Sequence, residues 1–230
     1  MMNQRTKLIY EIRDLKKEYG KRTVLQIGRL QFHPGTVYGV IGPVGSGKST
    51  LLRILAGLEK QSSGSLKYDN EEFKYSWLGK VKGNESIYLA SVDRLPEGQK
   101  VSQIVNALYP KKSNQIKNKY FSRGVQKTFW DLPLKNLSPG ECAWINMILA
   151  VESDPRVLLI DDYATVMDNS LEYDFRRRLK KMNRDLGTTI ILAAPNDQII
   201  KKFAAVLIHL DNGHVAKIRP GSGKNQFRKR

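Results

Sequence analysis

A lysine and a run of glycines in the first quarter of the chain have the spacing of a phosphate-binding loop. The segment Gly42-Pro-Val-Gly-Ser-Gly-Lys48-Ser49 matches the P-loop pattern, with a β-branched apolar run before it and a helical pattern after it. Glycines let successive backbone N–H groups turn toward phosphate oxygens, and the helix adds unpaired donors and the positive end of its dipole. The predicted chemistry is the binding of a nucleoside triphosphate.

The individual side chains of this loop have separate predicted roles. Lys48 reaches the β- and γ-phosphates of ATP, and the Ser49 hydroxyl is placed to ligate Mg²⁺. ATP and Mg²⁺ are therefore the predicted ligands. The predicted contact residues are Gly42, Pro43, Val44, Gly45, Ser46, Gly47, Lys48, Ser49 and Thr50.

A carboxylate that could complete the metal site follows a second apolar run. Val157-Leu-Leu-Ile is typical of a buried strand, and Asp161 comes directly after it. The carboxyl ends of parallel strands face the nucleotide in P-loop proteins, so Asp161 is predicted to hold Mg²⁺ together with Ser49.

These residues require strands that alternate with helices, which predicts an α/β fold: a P-loop NTPase core with a mainly parallel sheet covered on both faces. An antiparallel β subdomain is predicted from Leu8–Leu15 and Val24–Phe32, and Ser62–Tyr68 with Glu85–Ser91 are expected to close a small antiparallel sheet. Asn212–Gly213 predicts a type I′ hairpin.

The domain organisation follows from the polar, helical stretch between the two strand-rich parts. Residues 1–218 are predicted to form a single ATP-binding domain with a helical subdomain inserted at about 95–136. Proline interrupts this helical stretch at Pro110 and Pro133. Residues 219–230 are predicted to be a loose basic tail.

Composition limits the class of protein. The chain has 230 residues, of which 40% are apolar, and no apolar run approaches the roughly 20 residues that cross a bilayer. The N-terminal segment lacks the apolar centre of a signal peptide, and Cys142 is the single cysteine. A soluble protein of the cytoplasm is expected.

The formal net charge of +17 attracts a polyanion: nucleic acid, anionic lipid or nucleotide. An ordinary solvated surface explains any single basic run about equally well. The basic residues crowd three places: Lys111 to Lys127, Arg176 to Arg184, and Arg228 to Arg230.

The order of these motifs resembles the ABC-type ATPases along nearly the whole chain. Leu137-Ser-Pro-Gly-Glu141, a helix and then the Asp161 strand match the family's Leu-Ser-Gly-Gly-Gln signature upstream of its acidic strand. The resemblance implies that Tyr19 stacks on adenine. It also implies that Ser138, Gly140 and Asp168 contact ATP held by a second subunit. Pro139 replaces a glycine and cannot donate an N–H, so ATP-dependent dimerisation is expected to survive in a weakened form.

Three positions depart from the family pattern. Asp162 stands where the family has a glutamate that polarises the attacking water, and Pro195 stands where it has a histidine that contacts the γ-phosphate. Ser91 aligns with the glutamine that bridges metal and water, although a shifted register would place Asp93 there. Each loss typically costs about 10²-fold in rate, so the site is predicted to bind ATP well and to hydrolyse it slowly.

The resemblance implies an ATP-binding subunit of an ABC transporter, working with a second ATPase subunit and a membrane-spanning subunit. The dimer is either a heterodimer, whose partner supplies the competent catalytic residues, or a homodimer. Basicity then suits a position beside the anionic cytoplasmic leaflet, as a peripheral protein. A nucleic-acid-associated clamp is the less favoured alternative, since coiled-coil, zinc and tandem ATPase modules are missing from the sequence. A nucleotide-sensing regulator is the third.

Overall fold

The computed structural model describes residues 8–73 and 86–223, which form ten strands and six α-helices. The strands are β1 Tyr10–Tyr19, β2 Arg22–Phe32, β3 Val37–Ile41, β4 Ser63–Tyr68, β5 Glu71–Glu72, β6 Ile87–Ala90, β7 Val157–Ile160, β8 Thr189–Ala194, β9 Val206–Asp211 and β10 His214–Pro220. The helices are α1 Lys48–Leu55, α2 Val101–Leu108, α3 Ser113–Tyr120, α4 Gln126–Phe129, α5 Pro139–Glu152 and α6 Asn169–Leu186.

A six-stranded sheet carries the predicted site. Its order is β10-β9-β3-β8-β7-β6, and β9, β3, β8 and β7 run parallel to one another. Strands β3, β7 and β8 are buried at every residue, which is why their sequences read as continuous apolar runs. The parallel arrangement puts the carboxyl ends of β3, β7 and β8 at the same edge of the sheet, as the sequence predicted.

A four-stranded antiparallel sheet, in the order β2-β1-β4-β5, forms the second layer. Alternate residues of β1, among them Tyr10 and Ile12, are fully buried against the core, while Glu11 and Arg13 face away from it. The alternation breaks at Asp14, which is exposed and has φ of 47°, so that Leu15 is the next buried residue; a register shift with β2 follows between Lys17 and Glu18. The predicted antiparallel subdomain is confirmed.

The prediction for β6 was wrong. The segment Glu85–Ser91 was expected to pair within the small antiparallel sheet, but β6 is the edge strand of the six-stranded sheet beside β7. The Val157 backbone N–H donates to the Ser86 carbonyl at 2.9 Å. A four-residue apolar strand has too little pattern to distinguish one sheet from the other.

The hairpin turn and the interruptions between helices lie at the residues that the sequence analysis predicted. Asn212 and Gly213, with φ of 45° and 80°, form the turn between β9 and β10, as the type I′ prediction requires. Pro110 separates α2 from α3, and Pro133 precedes a short 3₁₀ turn at Leu134–Asn136. The hairpin continues to Pro220, and residues 224–230 of the basic tail lie outside the described residues.

The chain divides into two compact units. Unit 1 lies within Met1–Leu89, Pro155–Thr165 and Arg176–Arg230 and holds the apolar core between the two sheets. Unit 2 comprises Ala90–Asp154 and Val166–Phe175, with helices α2 to α5 and the start of α6. The predicted helical insert at about 95–136 lies within unit 2.

Candidate functional site

The predicted phosphate loop connects the buried strand β3 to helix α1 in unit 1. Gly42 follows β3 so closely packed that a Cβ there would lie 2.3 Å from the Leu210 carbonyl oxygen. Gly47, the N-cap of α1, has φ of 96°, a conformation that a residue with a side chain rarely adopts. The loop therefore has its shape because two glycines allow the backbone to approach its neighbours.

The β9–β10 hairpin supports the loop from one side. The Gly213 backbone N–H donates to the Ser46 carbonyl at 3.2 Å, and the Gln26 N–H donates to the Gly213 carbonyl at 2.8 Å. The hairpin turn thus links the loop to β2 through two backbone hydrogen bonds. This connection gives the predicted turn a second role that the sequence pattern did not reveal.

Lys48 lies inside the loop and is 7% exposed. Its ammonium group donates to the carbonyl oxygens of Gly42, at 2.8 Å, and Pro43, at 2.9 Å. Burial lowers the Lys48 pKa, and the carboxylates of Asp162 and Asp161 act in the opposite direction. A cation held in this way by the loop's own carbonyls suits an incoming phosphate, which can replace those acceptors.

The hydroxyl of Ser46 is buried and has no hydrogen-bond partner among residues 8–73 and 86–223. Ser46 is 2% exposed, and an unsatisfied buried polar group typically costs about 1–3 kcal/mol. Such a group within a phosphate-binding loop pattern is expected to be satisfied by a ligand.

Asp161 and Ser49 lie together at the end of β7 and the start of α1. The Ser49 hydroxyl forms a hydrogen bond with the Asp161 carboxylate. Burial raises the Asp161 pKa, while the Ser49 hydrogen bond acts against that increase and the Asp162 charge adds to it. The structure thus brings together two hard oxygen donors that the sequence had placed 112 positions apart, counting from 49 to 161.

These two oxygens fit magnesium better than a metal that needs a protein cage. In the part of the chain that the structure describes, no group of three or more His, Cys, Asp or Glu side chains could hold a metal ion. Mg²⁺ usually takes one or two protein oxygens, with water and phosphate oxygens completing its octahedron. Ser49 and Asp161 match that donor set.

Residues 161–163 and 194–197, at the ends of the neighbouring strands β7 and β8, form what we term the catalytic corner. The Tyr163 N–H donates at 2.8 Å to the carbonyl of Ala193, the residue just before the second segment, which joins the first segment to the end of β8. Asp162 is exposed and has φ of 48°, in the left-handed region that aspartate tolerates better than most residues. Its backbone carbonyl accepts hydrogen bonds from Thr165, from N at 3.2 Å and from Oγ1 at 2.8 Å.

After β8, at the position where the family has a histidine, this chain has no side-chain proton donor. Pro195 follows β8 directly and is exposed. The Asn196 side-chain oxygen accepts a hydrogen bond from the Gln198 N–H at 3.1 Å, so this amide stabilises its own turn. Electrostatic contact with the γ-phosphate would have to come from elsewhere.

Ser91, in unit 2, begins a short 3₁₀ turn at Val92–Arg94. Its hydroxyl hydrogen-bonds to the Asp93 carboxylate within that turn. The two residues that the sequence offered for one role are therefore neighbours in one turn, and the choice between them stays a prediction.

Tyr19 ends β1 with a partly exposed ring. Its hydroxyl donates to the Glu59 carboxylate, and Thr50 of helix α1 hydrogen-bonds to the same hydroxyl. Sequence reasoning identified Tyr19 but not Glu59, because no pattern marks the residue that follows α1 at this position. The predicted adenine contact is thus connected to the first turn of the phosphate-loop helix.

The signature segment begins helix α5 in unit 2. Ser138 is its N-cap, and the predicted capping box is present: the Glu141 N–H donates to Ser138 Oγ at 3.3 Å, and the Ser138 N–H donates to Glu141 Oε2 at 2.7 Å. Pro139 takes the first helical position. A Cβ on Gly140 would lie 3.2 Å from the Val166 carbonyl oxygen.

Asp168 also caps a helix, which the sequence analysis missed. The Leu171 N–H donates to Asp168 Oδ1 at 2.8 Å, and the Glu172 N–H donates to the Asp168 carbonyl at 3.0 Å, so Asp168 begins α6. The spacing of Asp168 ahead of an amphipathic helix was a usable signal. Ser138 and Asp168 therefore both have structural roles within unit 2, in addition to any contact with a second subunit.

Basic side chains form a stripe along the exposed side of α6. Arg177, Lys180, Lys181 and Arg184 are all exposed, at the i, i+3, i+4, i+7 spacing of one helical face. Lys201 and Lys202 are exposed on a 3₁₀ turn at Ile200–Lys202, and Lys180 Nζ lies 6.0 Å from the ring centre of the adjoining Phe203. We call these six residues the basic face.

Within residues 8–73 and 86–223, no helix is long and apolar enough to cross a membrane.

A family model described as "ABC transporter" matches residues 25–165 of the chain. Among curated proteins, the chain is 30% identical over 223 residues to the spermidine/putrescine import ATP-binding protein PotA of Haemophilus influenzae. That match covers 94% of this chain and 59% of the relative, so the chain spans about three fifths of that relative's length. It is also 26% identical over 214 residues to the probable sulfate/thiosulfate import ATP-binding protein CysA of Chlorella vulgaris, covering 90% and 89% of the two chains.

Solved structures agree with this fold. The structure of cbiO1 from Clostridium perfringens, part of the ABC transporter complex cbiONQ, superposes with a TM-score of 0.72 at 25% identity, covering 97% of this chain and 92% of that one. The dimeric structure of the bacterial ABC transporter cassette MJ0796 gives a TM-score of 0.78 at 20% identity, covering 92% and 98%. The second likeness concerns the fold alone.

Proposed function

The chain belongs to the ABC transporter family, whose model matches more than half of it, and from that premise we propose that it is the ATP-binding subunit of an ABC transporter. One observation carries the proposal: the loop after β3 holds the Lys48 ammonium inside it, and Ser49 and Asp161 are hydrogen-bonded beside it. These are the groups that a magnesium nucleotide requires. In this proposal, residues 1–218 are one ATP-binding domain with a helical insert at about 95–136, followed by a basic tail, 219–230.

The loop binds the triphosphate chiefly through its backbone. Apart from that of Ser46, which donates to the Pro43 carbonyl, the backbone amides from Val44 to Thr50 would donate to phosphate oxygens, and the N-terminal end of α1 would add its dipole. Lys48 exchanges its two carbonyl acceptors for β- and γ-phosphate oxygens, which are charged and therefore stronger acceptors. Ser46 gains a partner for its buried hydroxyl. The adenine stacks on Tyr19.

Ser49 and Asp161 would hold Mg²⁺. When bound, the ion neutralises charge that develops on the phosphate oxygens. Occupation of the site by a cation also stabilises the charged form of Asp161, whose pKa burial raises in the protein alone.

Hydrolysis is slow because the carboxylate of the catalytic corner is too short and the corner has no side-chain proton donor for the γ-phosphate. The Asp162 carboxylate is one methylene shorter than the usual glutamate, and its left-handed backbone is a conformation that glutamate adopts less readily. Pro195 has no proton to donate to the γ-phosphate. Ser91 engages Asp93 within its own turn.

A second ATPase subunit completes the site. Ser138, Gly140 and Asp168 contact the ATP of that subunit, with one backbone donor fewer because Pro139 replaces glycine. In a heterodimer the partner supplies competent catalytic residues; in a homodimer the protein is an ATP-gated clamp. Nucleotide binding rather than turnover then drives closure.

The membrane-spanning subunit is a separate chain, and this chain works at the cytoplasmic face of the membrane as a peripheral protein. The names of two relatives, both import ATP-binding proteins, favour an importer. The basic face on α6 and its neighbouring 3₁₀ turn provides the charge that attracts anionic lipid.

The alternative is a nucleic-acid-associated or regulatory ABC ATPase, and the basic face is the observation that favours it. Exposed cations at i, i+3, i+4 and i+7 would neutralise successive phosphates, giving binding that falls steeply with salt. A multi-span membrane protein that copurifies in a defined complex after coexpression would favour the transporter subunit.

The test combines three measurements on the full-length protein. Calorimetry with Mg-ATP measures binding, phosphate release measures turnover, and light scattering with and without ATP measures dimerisation. Micromolar ATP binding with turnover well below about 1 s⁻¹, the lower end of typical enzymes, is expected. Absence of ATP binding would contradict the proposal. Flotation with anionic vesicles, against duplex DNA binding over a salt series, separates the two partner classes.

A further inference from the structure

The hydroxyl of Tyr19 is anchored, although its ring is 46% exposed. It donates to the Glu59 carboxylate, which lies four residues beyond the end of α1. The same hydroxyl is hydrogen-bonded to Thr50, on the first turn of α1. Burial and then the Glu59 hydrogen bond raise the Tyr19 pKa, so the group is a phenol that donates.

Glu59 is itself held by Lys17. Lys17 Nζ lies 2.9 Å from Glu59 Oε1 and donates to the Lys60 carbonyl at 2.8 Å. The two side chains are 13% and 19% exposed, so the pair is largely shielded from solvent. Shielded, doubly hydrogen-bonded ion pairs hold one geometry more firmly than exposed ones.

The same strand contains a matched exposed pair. Lys16 Nζ lies 2.7 Å from Glu18 Oε1, with side chains 39% and 38% exposed. Both pairs join a lysine to a glutamate, but only Lys17–Glu59 connects β1 to the segment after α1. The pairing of β1 with β2 shifts register between Lys17, which belongs to the shielded pair, and Glu18, which belongs to the exposed pair.

Lys17 also contacts the ring. Its ammonium lies 5.0 Å from the ring centre of Tyr19, over one face. Contacts with Glu59 and Thr50 at the hydroxyl, and with the ammonium over one face, restrain the ring at two places. The exposed remainder of the ring is a surface on which a purine can stack without first ordering the side chain, which saves conformational entropy on binding.

The backbone reinforces this arrangement. The Ser62 N–H donates to the Lys16 carbonyl at 2.8 Å, and the Glu18 N–H donates to Ser62 Oγ at 2.9 Å. The end of β1 is thus bound to the segment that carries Glu59. Tyr19 and the phosphate loop are therefore parts of one supported unit, joined through α1.

We propose that Glu59 and Lys17 are positioning residues that hold the Tyr19 ring for stacking on the base of ATP. The inference rests on the proposed function, since it needs adenine at Tyr19. Glu59 acts through the Tyr19 hydroxyl and touches no phosphate, so it affects recognition of the base and leaves recognition of the triphosphate unchanged. The contact with Glu59 gives the Tyr19 hydroxyl a role that a phenylalanine ring, which would suffice for stacking alone, could not fill.

A double-mutant cycle with two ligands tests the inference. Tyr19→Phe, Glu59→Leu and the double variant are titrated by calorimetry with Mg-ATP and with Mg-tripolyphosphate, which has no base. Each single variant is expected to weaken ATP about fivefold, the loss of one net hydrogen bond. The double variant is expected to match the weaker single variant, because both remove the same bond. Tripolyphosphate affinity stays at the wild-type value.

Lys17→Met is expected to weaken ATP binding and to leave tripolyphosphate affinity unchanged, as Glu59→Leu does. Lys16→Met and Glu18→Leu are the matched controls, and they are expected to leave both affinities unchanged. Tyr19→Phe alters nothing but one oxygen, so the cycle stays informative even if Glu59→Leu folds poorly. Equal loss of ATP and tripolyphosphate affinity would indicate a general structural role and overturn the inference. Unchanged ATP affinity in Tyr19→Phe, or additive losses, would do the same.

The proposed function fails differently. A wild-type protein that binds neither ligand has no nucleotide site, and the positioning role is lost with it. A wild-type protein that binds both ligands equally, with ATP affinity unaffected by Tyr19→Ala, has a phosphate site but no base platform at Tyr19. That result would overturn the inference while leaving the phosphate loop intact.

Discussion

The phosphate loop and the catalytic corner lie in the same unit, yet the fold holds them to different degrees. In the loop, Gly42 and Gly47 approach their neighbours closely, and Lys48 is buried with two carbonyl acceptors. In the corner, Asp162 and Pro195 are both exposed. The base of the loop is buried and supported while Pro43 to Gly45 are exposed at its tip, whereas the corner presents side chains that are short or lack a donor.

The two regions differ because phosphate binding uses backbone atoms, whereas hydrolysis uses side-chain atoms. A phosphate cradle is made of backbone amides, which side-chain substitution does not remove as long as the glycines stay. Catalysis of hydrolysis requires individual side chains at a defined reach. A chain can therefore keep nucleotide binding while losing turnover.

The largest expected effect comes from removing the ammonium group of the loop. Lys48→Ala should weaken ATP binding about 100-fold, because it deletes charge-assisted hydrogen bonds to the phosphates. Equilibrium binding of Mg-ATP measures this, with exposed Lys21→Ala as the control for charge. Unchanged affinity would remove the contrast between the two regions, since the loop would then not be the nucleotide site.

The magnesium side of the loop is expected to show the next largest effect. Asp161→Asn should reduce the gain in ATP affinity that Mg²⁺ provides by about 30-fold, in the range seen when groups that tune metal sites are lost. The ratio of ATP affinities with Mg²⁺ and with EDTA reports this directly. A ratio equal to that of the wild type would assign the metal to other residues.

The corner should gain activity when its two missing groups are restored. Asp162→Glu with Pro195→His is expected to raise turnover about tenfold, below the usual 10²-fold or more for a general base because glutamate is strained at a left-handed position. Phosphate release at saturating ATP measures the rate, and the same pair with Lys48→Ala is the control. Brisk turnover in the wild-type protein would show that the corner is already competent.

The smallest effect is on stability in the absence of nucleotide. Burial raises the Asp161 pKa, so the folded state binds this proton more tightly than the unfolded chain does. The stabilisation by Asp161 is complete below the ordinary aspartate pKa and is lost as pH rises through the raised folded value. Above that window, Asp161→Asn should therefore be the more stable protein, with the higher Tm.

Thermal unfolding from pH 4 to 8 checks this expectation, with exposed Asp174→Asn as the matched variant. A stability difference between Asp161→Asn and the wild type that stays constant with pH would mean that the carboxylate carries no burial cost. The ionised Asp161 carboxylate at the metal site would then not lower the stability of the folded protein.

Local patterns were sufficient wherever the determining contacts are near in sequence. The Asn212–Gly213 turn, the Ser138 capping box and the strand Val157–Ile160 were all predicted, since turn conformation, cap chemistry and buried runs are readable over a few residues. The prediction for β6 was wrong, because pairing depends on a partner about 70 residues away. Asp168 was assigned a partner contact, while its role as the N-cap of α6 was overlooked.

The sequence alone determined the family and predicted the phosphate loop and the residues of the catalytic corner, because motif spacing and side-chain chemistry are properties of the chain itself. Only the tertiary structure showed that Lys48 is buried against its own loop, that Ser49 meets Asp161, and that Lys17 and Glu59 hold Tyr19. Those contacts join segments far apart in the chain. Their burial, and with it their pKa values and rigidity, depends on packing between strands and helices that no local pattern records.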